Sequence, residues 1–226
     1  MTDRIINVAV DGPAGAGKST IARAAAAELG YIYVDTGALY RAVGVYALEH
    51  DIPTSDAEAI TGMLGGVDVT LRFVDGAQQV LLNGRDVSTE IRTPAASMAA
   101  SAVSAVPAVR DFLFETQRAI AREHSCIMDG RDIGTVVLPD AQVKVFLTAS
   151  PELRARRRYD ELIAKGQTVE FKDVLDELLQ RDYNDSHRAV APLRPAPDGV
   201  ILDNSDLDLP ASVAALVAII KEKTNG

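Results

Sequence analysis

The 226-residue chain has a single cysteine, and that scarcity is the first constraint on it. One thiol can form neither an internal disulfide nor a thiolate metal cage, and Cys126 falls in the predicted strand Ser125-Cys126-Ile127-Met128, where it reads as buried filler. Long apolar runs are missing as well. No stretch approaches the ~18 residues of a membrane span, and Asp3 and Arg4 lead directly into a short strand where a signal peptide would carry a long apolar segment. A soluble, cytoplasmic protein is the expectation. Positive charge is in deficit, with a formal net charge of −9, which argues against a general binder of nucleic acid or membrane surfaces. Internal repeats, low-complexity segments and a linker between domains are not found either.

What is present is 47% apolar residues, enough for the core of one α/β unit with an insertion, or of two small domains. Of the 23 cationic residues 17 are arginine, whose planar fork fits phosphate and carboxylate oxygens. The most specific stretch is Asp11-Gly12-Pro13-Ala14-Gly15-Ala16-Gly17-Lys18-Ser19-Thr20, which spells G-x-x-x-x-G-K-[ST] directly after the apolar run Ile5 to Val10. Its glycines let the backbone turn N–H groups inward around phosphate oxygens, and the helix beginning near Lys18 adds its positive dipole end. Lys18 can then reach the β- and γ-phosphates of a nucleotide while the Ser19 hydroxyl takes a place on Mg²⁺, with Thr20 a further hydroxyl nearby. The alanine-rich segment Ile21 to Leu29 supplies the helix that the motif requires, and Gly30 is its stop. The loop does not name the acceptor of the phosphate.

Five segments read as core strands, near 5–10, 31–34, 125–129, 143–147 and 200–203. Between the second and the third the texture changes. Helical runs from Ala38 to Glu49 and from Ser55 to the Gly65-Gly66 pair give way to alternation over Val67 to Phe73, a turn at Asp75-Gly76, a strand at Gln79 to Leu82 and a turn at Asn83-Gly84. Such an antiparallel meander does not belong to a parallel sheet wound with helices, so residues 37–106 read as an insertion. Pro94 to Ser104 and, led by Pro107, Ala108 to Glu123 read as helices. Ser150-Pro151 opens the arginine-rich helix Glu152 to Ala164, Lys165-Gly166 stops it, a polar helix Val169 to Asn184 pairs with it, and Ala211 to Lys223 closes the chain as an amphipathic helix.

Further constellations stand where α/β sheets bind ligands. In Asp35-Thr36-Gly37-Ala38-Leu39-Tyr40-Arg41, Thr36 can cap the helix that carries Tyr40 and Arg41 one turn later, so all three could face one acceptor pocket; the plain alternative is a cap and a surface arginine. Asp129-Gly130-Arg131-Asp132-Ile133-Gly134-Thr135 sets two carboxylates and a guanidinium among glycines at a strand end, and Asp129 is placed like the acidic residue that helps hold the Mg²⁺ water shell in P-loop enzymes. Arg154, Arg157 and Arg158 lie at i, i+3 and i+4 on one helix face, with Arg156 to one side, an arrangement resembling a mobile lid that closes over a triphosphate. Arg181, Asp185 and Arg188 share a face if their helix persists; His187 beside them takes no role. On these residues alone the acceptor stays open, small acceptors such as AMP, UMP or a sugar-like acid being among the rival readings, and a non-catalytic nucleotide sensor remains, although no Asn-Lys-x-Asp guanine-reading segment is present.

Together the motifs resemble those of the bacterial cytidylate kinases, nucleoside monophosphate kinases of the P-loop fold, over nearly the whole chain. The likeness is carried by Gly12 to Thr20, Asp35 to Arg41, Glu90-Ile91-Arg92-Thr93, the serine-rich segment ending Pro107-Ala108-Val109-Arg110, Asp129 to Thr135, and Arg181 to Leu193. It implies an α/β fold: a five-stranded parallel P-loop core at 1–36, 107–150 and 189–226, a monophosphate-binding insertion with a small antiparallel sheet at 37–106, and a helical lid region at 151–188. It implies transfer of the ATP γ-phosphoryl to CMP or dCMP by a monomer. ATP would lie on Gly12, Pro13, Ala14, Gly15, Ala16, Gly17, Lys18, Ser19 and Thr20 under Arg154, Arg157 and Arg158, with Mg²⁺ on Ser19 and, through water, Asp129. Lys18, Asp129, Arg131 and Arg188 would serve catalysis. Arg41, Arg131 and Arg188 would hold the acceptor phosphate, Ser101, Arg110 and Asp132 would read the base, Arg181 and Asp185 would hold the sugar, and Thr36 and Tyr40 would line the same pocket. One departure is Thr36, where some relatives carry serine: the hydroxyl survives, but the added methyl could alter the pocket.

The base assignment has a chemical rationale of its own. Cytosine presents an amino donor at N4 beside acceptors at N3 and O2, so Asp132 can accept from N4 and Arg110 can donate to N3 or O2. Uracil reverses both and leaves buried polar groups unpaired. An acceptor phosphate is largely ionised near neutral pH, so in-line attack on the γ-phosphorus needs no strong general base; positioning and charge neutralisation by Lys18, Mg²⁺ and the arginines would supply most of the rate.

Overall fold

Val8, Ala9 and Val10 are wholly buried, as a parallel strand covered on both faces requires. The computed structural model describes residues 4–74 and 77–224. In chain order its elements are β1 (Asn7–Asp11), α1 (Lys18–Leu29), β2 (Ile32–Asp35), α2 (Thr36–Glu49), α3 (Ala57–Met63), β3 (Val69–Val74), β4 (Ala77–Leu82), β5 (Arg85–Asp86), α4 (Pro94–Val103), α5 (Pro107–Glu123), β6 (Cys126–Gly130), β7 (Val143–Thr148), α6 (Pro151–Ala164), α7 (Phe171–His187), β8 (Val200–Asp203) and α8 (Leu209–Thr224). A five-stranded parallel sheet has the order β2-β6-β1-β7-β8, and an antiparallel sheet of three has the order β3-β4-β5. All five core strands fall within two residues of the expected positions. The described residues divide into two compact units, one of Ile32–Cys126 with Arg4 and Ile5, the other of Ile6–Tyr31 with residues 127–224.

In the second of these, the P-loop unit, β1 pairs in parallel with β7 from Val8 opposite Val143 to Asp11 opposite Phe146, and β7 with β8 from Val145 opposite Val200 to Thr148 opposite Asp203. These registers align the carboxyl ends of three strands, the edge at which α/β sheets bind ligands. Helix α1 packs on α8 and α6 on α7. Ser150 caps α6 as expected, its Oγ accepting from the Leu153 amide at 3.3 Å ahead of Pro151 in the first turn. Between β6 and β7 the chain makes a single π-helical turn, Ile133–Val137, closed by the Leu138 amide on the Ile133 carbonyl at 2.7 Å.

The other unit has an apolar core that includes Leu39, Val43, Ile60, Val80, Val109 and Leu113. Helix α2 crosses α4 closely at Gly44, where a Cβ would stand 2.9 Å from the Ala99 methyl. The meander pairs Val69 with Leu82 through Val74 with Ala77. Asn83 and Gly84 both take positive φ, as a tight two-residue hairpin requires, and lead into the two-residue β5. The expected Asp75-Gly76 turn lies outside the described residues. Cys126 is buried, and burial pushes its thiol up to about 12.

Two local expectations are corrected. Asp35, rather than Thr36, caps α2: its Oδ1 accepts from the Ala38 amide at 3.1 Å, and Thr36 is the first helical residue. A carboxylate there satisfies an open amide and meets the positive helix end, where threonine offers only a hydroxyl. Helix α7 also begins two residues later and ends three residues further on than its polar pattern indicated. Among the described residues no helix is long and apolar enough to cross a membrane.

Candidate active site

The glycine loop leaves β1 through Gly12, at φ 150°, where a Cβ would stand 2.0 Å from the Leu147 carbonyl oxygen, so no other residue fits. Gly17, at φ 85°, precedes α1. Donors from outside the loop pin two of its carbonyls: Arg154 Nη1 donates to Ala14 O at 2.9 Å and Asn204 Nδ2 to Ala16 O at 3.1 Å. Because the C=O and N–H of a peptide unit point in opposite directions, anchoring the carbonyls helps keep the amides turned toward an anion. Lys18 is buried, and its Nζ donates to Pro13 O at 2.7 Å.

The charged groups around Lys18 come from β6, the turn after it, and the end of α7. Ser19 Oγ donates to Asp129 Oδ2 at 2.8 Å, which brings together the two oxygens expected near a cation. Arg131 Nε donates to Asp185 Oδ2 at 2.8 Å, and Arg188 Nη2 to Asp132 Oδ1 at 3.2 Å. Burial, followed by Arg131 and Arg181, holds the Lys18 ammonium well below its ordinary range, while Asp129 and Asp11 pull the other way. For Asp185 burial opposes ionisation, yet Arg131, Arg181 and Arg188 outweigh it and hold the carboxyl below its usual range. The carboxylates pair with guanidinium groups while the ammonium stays disfavoured. A polyanion would relieve that imbalance.

The three arginines expected to act as one face do not behave alike. Arg154, 4% exposed, donates from Nε to Ala149 O at 2.9 Å and from Nη1 to both Ala14 O and Asp182 Oδ2, the latter at 2.7 Å. Arg157 donates to Asn204 Oδ1 and Asn204 O, each at 3.2 Å. Arg158 is exposed and paired with Glu161 at 3.0 Å. Helical spacing gives direction around an axis but not depth along it, and the root of α6 is buried where its next turn is not. Arg156 lies over the Phe171 ring, 4.4 Å from its centre. Asn204 and Asp182 escaped the sequence reading; the one signal for Asn204 is its place just past the carboxyl end of β8.

The unit of Ile32–Cys126 holds the remaining expected residues. Arg41 pairs with Asp35 at 2.7 Å. Gln78 of β4 fixes Asp35 in turn, accepting from its amide at 2.9 Å and donating to its carbonyl at 3.2 Å, a role that a strand glutamine does not announce. Thr36 is buried. Arg110, 2% exposed, is brought to Tyr40 and Phe114, with its guanidinium carbon 5.8 and 5.7 Å from the ring centres. Its Nη1 donates to Ser104 O at 3.4 Å, while the Ser101 carbonyl accepts from Ser104 Oγ at 2.9 Å. A buried guanidinium among aromatic faces is a pre-set hydrogen-bond donor.

The oxygen pair of Ser19 and Asp129 suits a hard cation. Among the described residues no group of three or more His, Cys, Asp or Glu is arranged to hold a metal.

Comparison with known proteins gives the site its context. The sequence profile described as cytidylate kinase matches residues 8–222. The chain is 50% identical over 204 residues to a cytidylate kinase of Caldicellulosiruptor saccharolyticus, covering 90% of each chain. It is 48% identical over 220 residues to one of Carboxydothermus hydrogenoformans, covering 97% of this chain and 99% of that one. With one of Caldanaerobacter subterraneus subsp. tengcongensis it shares 46% identity over 226 residues, 100% of this chain and 99% of the other. A phosphate loop with its lysine, the charged turn after β6 and these full-length likenesses agree, and the chain belongs to the cytidylate kinase family of phosphotransferases.

Proposed function

We propose that the chain transfers the γ-phosphoryl group of ATP to CMP or dCMP, giving ADP and CDP or dCDP, as a cytoplasmic monomer. The observation that carries this reading is the loop itself: Gly12 and Gly17 take positive φ, Arg154 and Asn204 pin the Ala14 and Ala16 carbonyls, and Lys18 stands at the start of the helix that follows. ATP lies on Gly12–Thr20. Lys18 turns from Pro13 O to the β- and γ-phosphate oxygens, and Ser19, with Asp129 through water, would hold Mg²⁺. When bound, that ion supplies neutralisation of the phosphate charge.

The chain's own residues orient the acceptor. Arg41, Arg131 and Arg188 take its phosphate, Arg181 and Asp185 its sugar, and Ser101, Arg110 and Asp132 its base, with Thr36 and Tyr40 lining the pocket. Residues 37–106 form the monophosphate-binding insertion and 151–188 the lid. In the lid Arg154 acts through the loop carbonyl it already holds, whereas Arg157 and Arg158 act on the triphosphate. The acceptor phosphate attacks in line, and no covalent enzyme intermediate forms.

An acceptor panel tests the reading. ADP release is expected with CMP and dCMP, and kcat/KM for UMP and AMP is expected to be lower by about 100-fold or more, because a reversed donor and acceptor pattern leaves buried groups unpaired. Equal efficiency with UMP would overturn the base assignment. Nucleotide binding with no ADP formed in the presence of CMP would overturn the kinase reading.

A further inference from the structure

We propose that Asp11 is a positioning residue that fixes the acceptor-holding turn Arg131–Gly134 against the start of the nucleotide loop. Asp11 is the last residue of β1 and is 5% exposed. Its Oδ1 accepts from the Ile133 amide and its Oδ2 from the Gly134 amide, each at 2.8 Å. Two successive backbone amides on the two oxygens of one carboxylate leave the turn little freedom to slide or tilt. The turn also packs closely on β1 and β7: a Cβ at Gly134 would stand 3.2 Å from Lys144 Cγ and 3.4 Å from the Ala9 methyl.

The residues joined by this contact are those between which the phosphoryl group passes. On one side, Asp11 is followed by Gly12 and the loop that ends in Lys18. On the other, Ile133 and Gly134 follow directly on Arg131 and Asp132, which are tied to Asp185 and Arg188. The inference rests on reading Arg131 and Asp132 as ligands of the acceptor. Small errors in the alignment of an in-line displacement are costly, a shift of about 1 Å being enough for a 100-fold loss.

An acid is an expensive choice at this place. Burial lifts the Asp11 carboxyl to about 6 even though both amides favour its charged form. Asparagine is nearly the same size and carries no buried charge, but it has only one oxygen, so it cannot accept from both amides and would set an NH₂ group against one of them. What the acid has and the amide lacks is the two-amide clamp, not packing volume.

The test compares Asp11→Asn with the parent chain in thermal unfolding at pH 7, in direct titration with the Mg²⁺ complex of a non-hydrolysable ATP analogue, and in steady-state turnover with CMP varied. Arg131→Ala is run alongside. Expected for Asp11→Asn are a folded protein, analogue affinity within about twofold, kcat lower by at least about tenfold and a raised KM for CMP. Unchanged kcat and KM would overturn the proposal, as would a loss confined to analogue affinity, which would assign Asp11 to the nucleotide loop alone. If Arg131→Ala leaves the KM for CMP unchanged, the acceptor-site reading fails first; if Arg131→Ala raises it and Asp11→Asn has no effect, only the role of Asp11 fails. Should the asparagine chain not fold, Asp11→Ser repeats the test, since its small hydroxyl leaves room for water on the amides. Failure of both to fold would make Asp11 part of the fold itself and overturn the proposal.

Discussion

Among the described residues, Asp11, Lys18, Asp129, Asp132, Arg154 and Asp185 are charged side chains buried in the P-loop unit, whereas Arg110 is the one buried in the unit of Ile32–Cys126. The latter is held by an apolar cluster running from Ala38 to Leu113, with valine, leucine and isoleucine drawn from α2, α3, the meander, α4 and α5. Burying an ion costs free energy unless partners return it. Here Arg131 with Asp185, Arg188 with Asp132 and Arg154 with Asp182 return it in part. One unit spends its interior on charge because phosphate chemistry requires that charge; the other uses an ordinary core to carry a few polar groups.

The sharpest break of this contrast is Lys18→Met. Turnover should fall by about 100-fold or more, while the thermal midpoint stays level or rises, because the fold disfavours the ammonium that is removed. An active methionine protein in an ADP-release assay would end the role given to the loop. Leu113→Ala probes the other unit from the opposite direction. Leu113 is fully buried, so the cavity should cost about 2–5 kcal/mol in urea unfolding, with an effect on kcat much smaller than that of Lys18→Met at temperatures where the chain is folded.

A third experiment sharpens the contrast through pH. Burial raises Asp11 from 3.8 to about 6, so the folded chain holds this proton more tightly than the unfolded chain. The stabilisation from that proton is complete below about pH 4 and is lost as the pH climbs to about 6, a change on the order of 3 kcal/mol. Asp11→Asn does not titrate. Measured by urea unfolding at both ends, its stability relative to the parent chain should therefore improve by about that amount between pH 4 and pH 7. No change would mean that the carboxylate is already ionised at the acid end. The smallest effect belongs to Cys126, whose buried thiol, pushed up to about 12, should react with a thiol reagent at pH 8 only after unfolding. Fast labelling of the folded protein would show that its end of β6 opens readily.

How much was legible in advance follows the range of the interactions. The glycine loop, the five strands and the meander were readable because each is set by local pattern: positive φ for glycine, continuous burial for parallel strands, Asn-Gly for a tight hairpin. The cap of α2 was misassigned to Thr36 because two adjacent residues with suitable side chains compete there, and the backbone chose Asp35. Asn204, Asp182 and Gln78 were not legible. Each acts on a partner far away in sequence, as Asn204 does on Ala16 and Gln78 on Asp35.

The sequence alone therefore determined the phosphate loop, the parallel sheet behind it, the inserted meander and the types of side chain available for chemistry, since these follow from spacing and local conformational preference. Tertiary structure alone decided which arginine is used where: Arg154 buried beneath the loop, Arg157 on Asn204, Arg158 in solvent, Arg131 on Asp185. It also turned Asp11, silent in the sequence, into a clamp on two amides of a distant turn. The reason is physical. A guanidinium or carboxylate has the same chemistry wherever it stands in the chain, and its role is set by burial and by neighbours that only folding brings within reach.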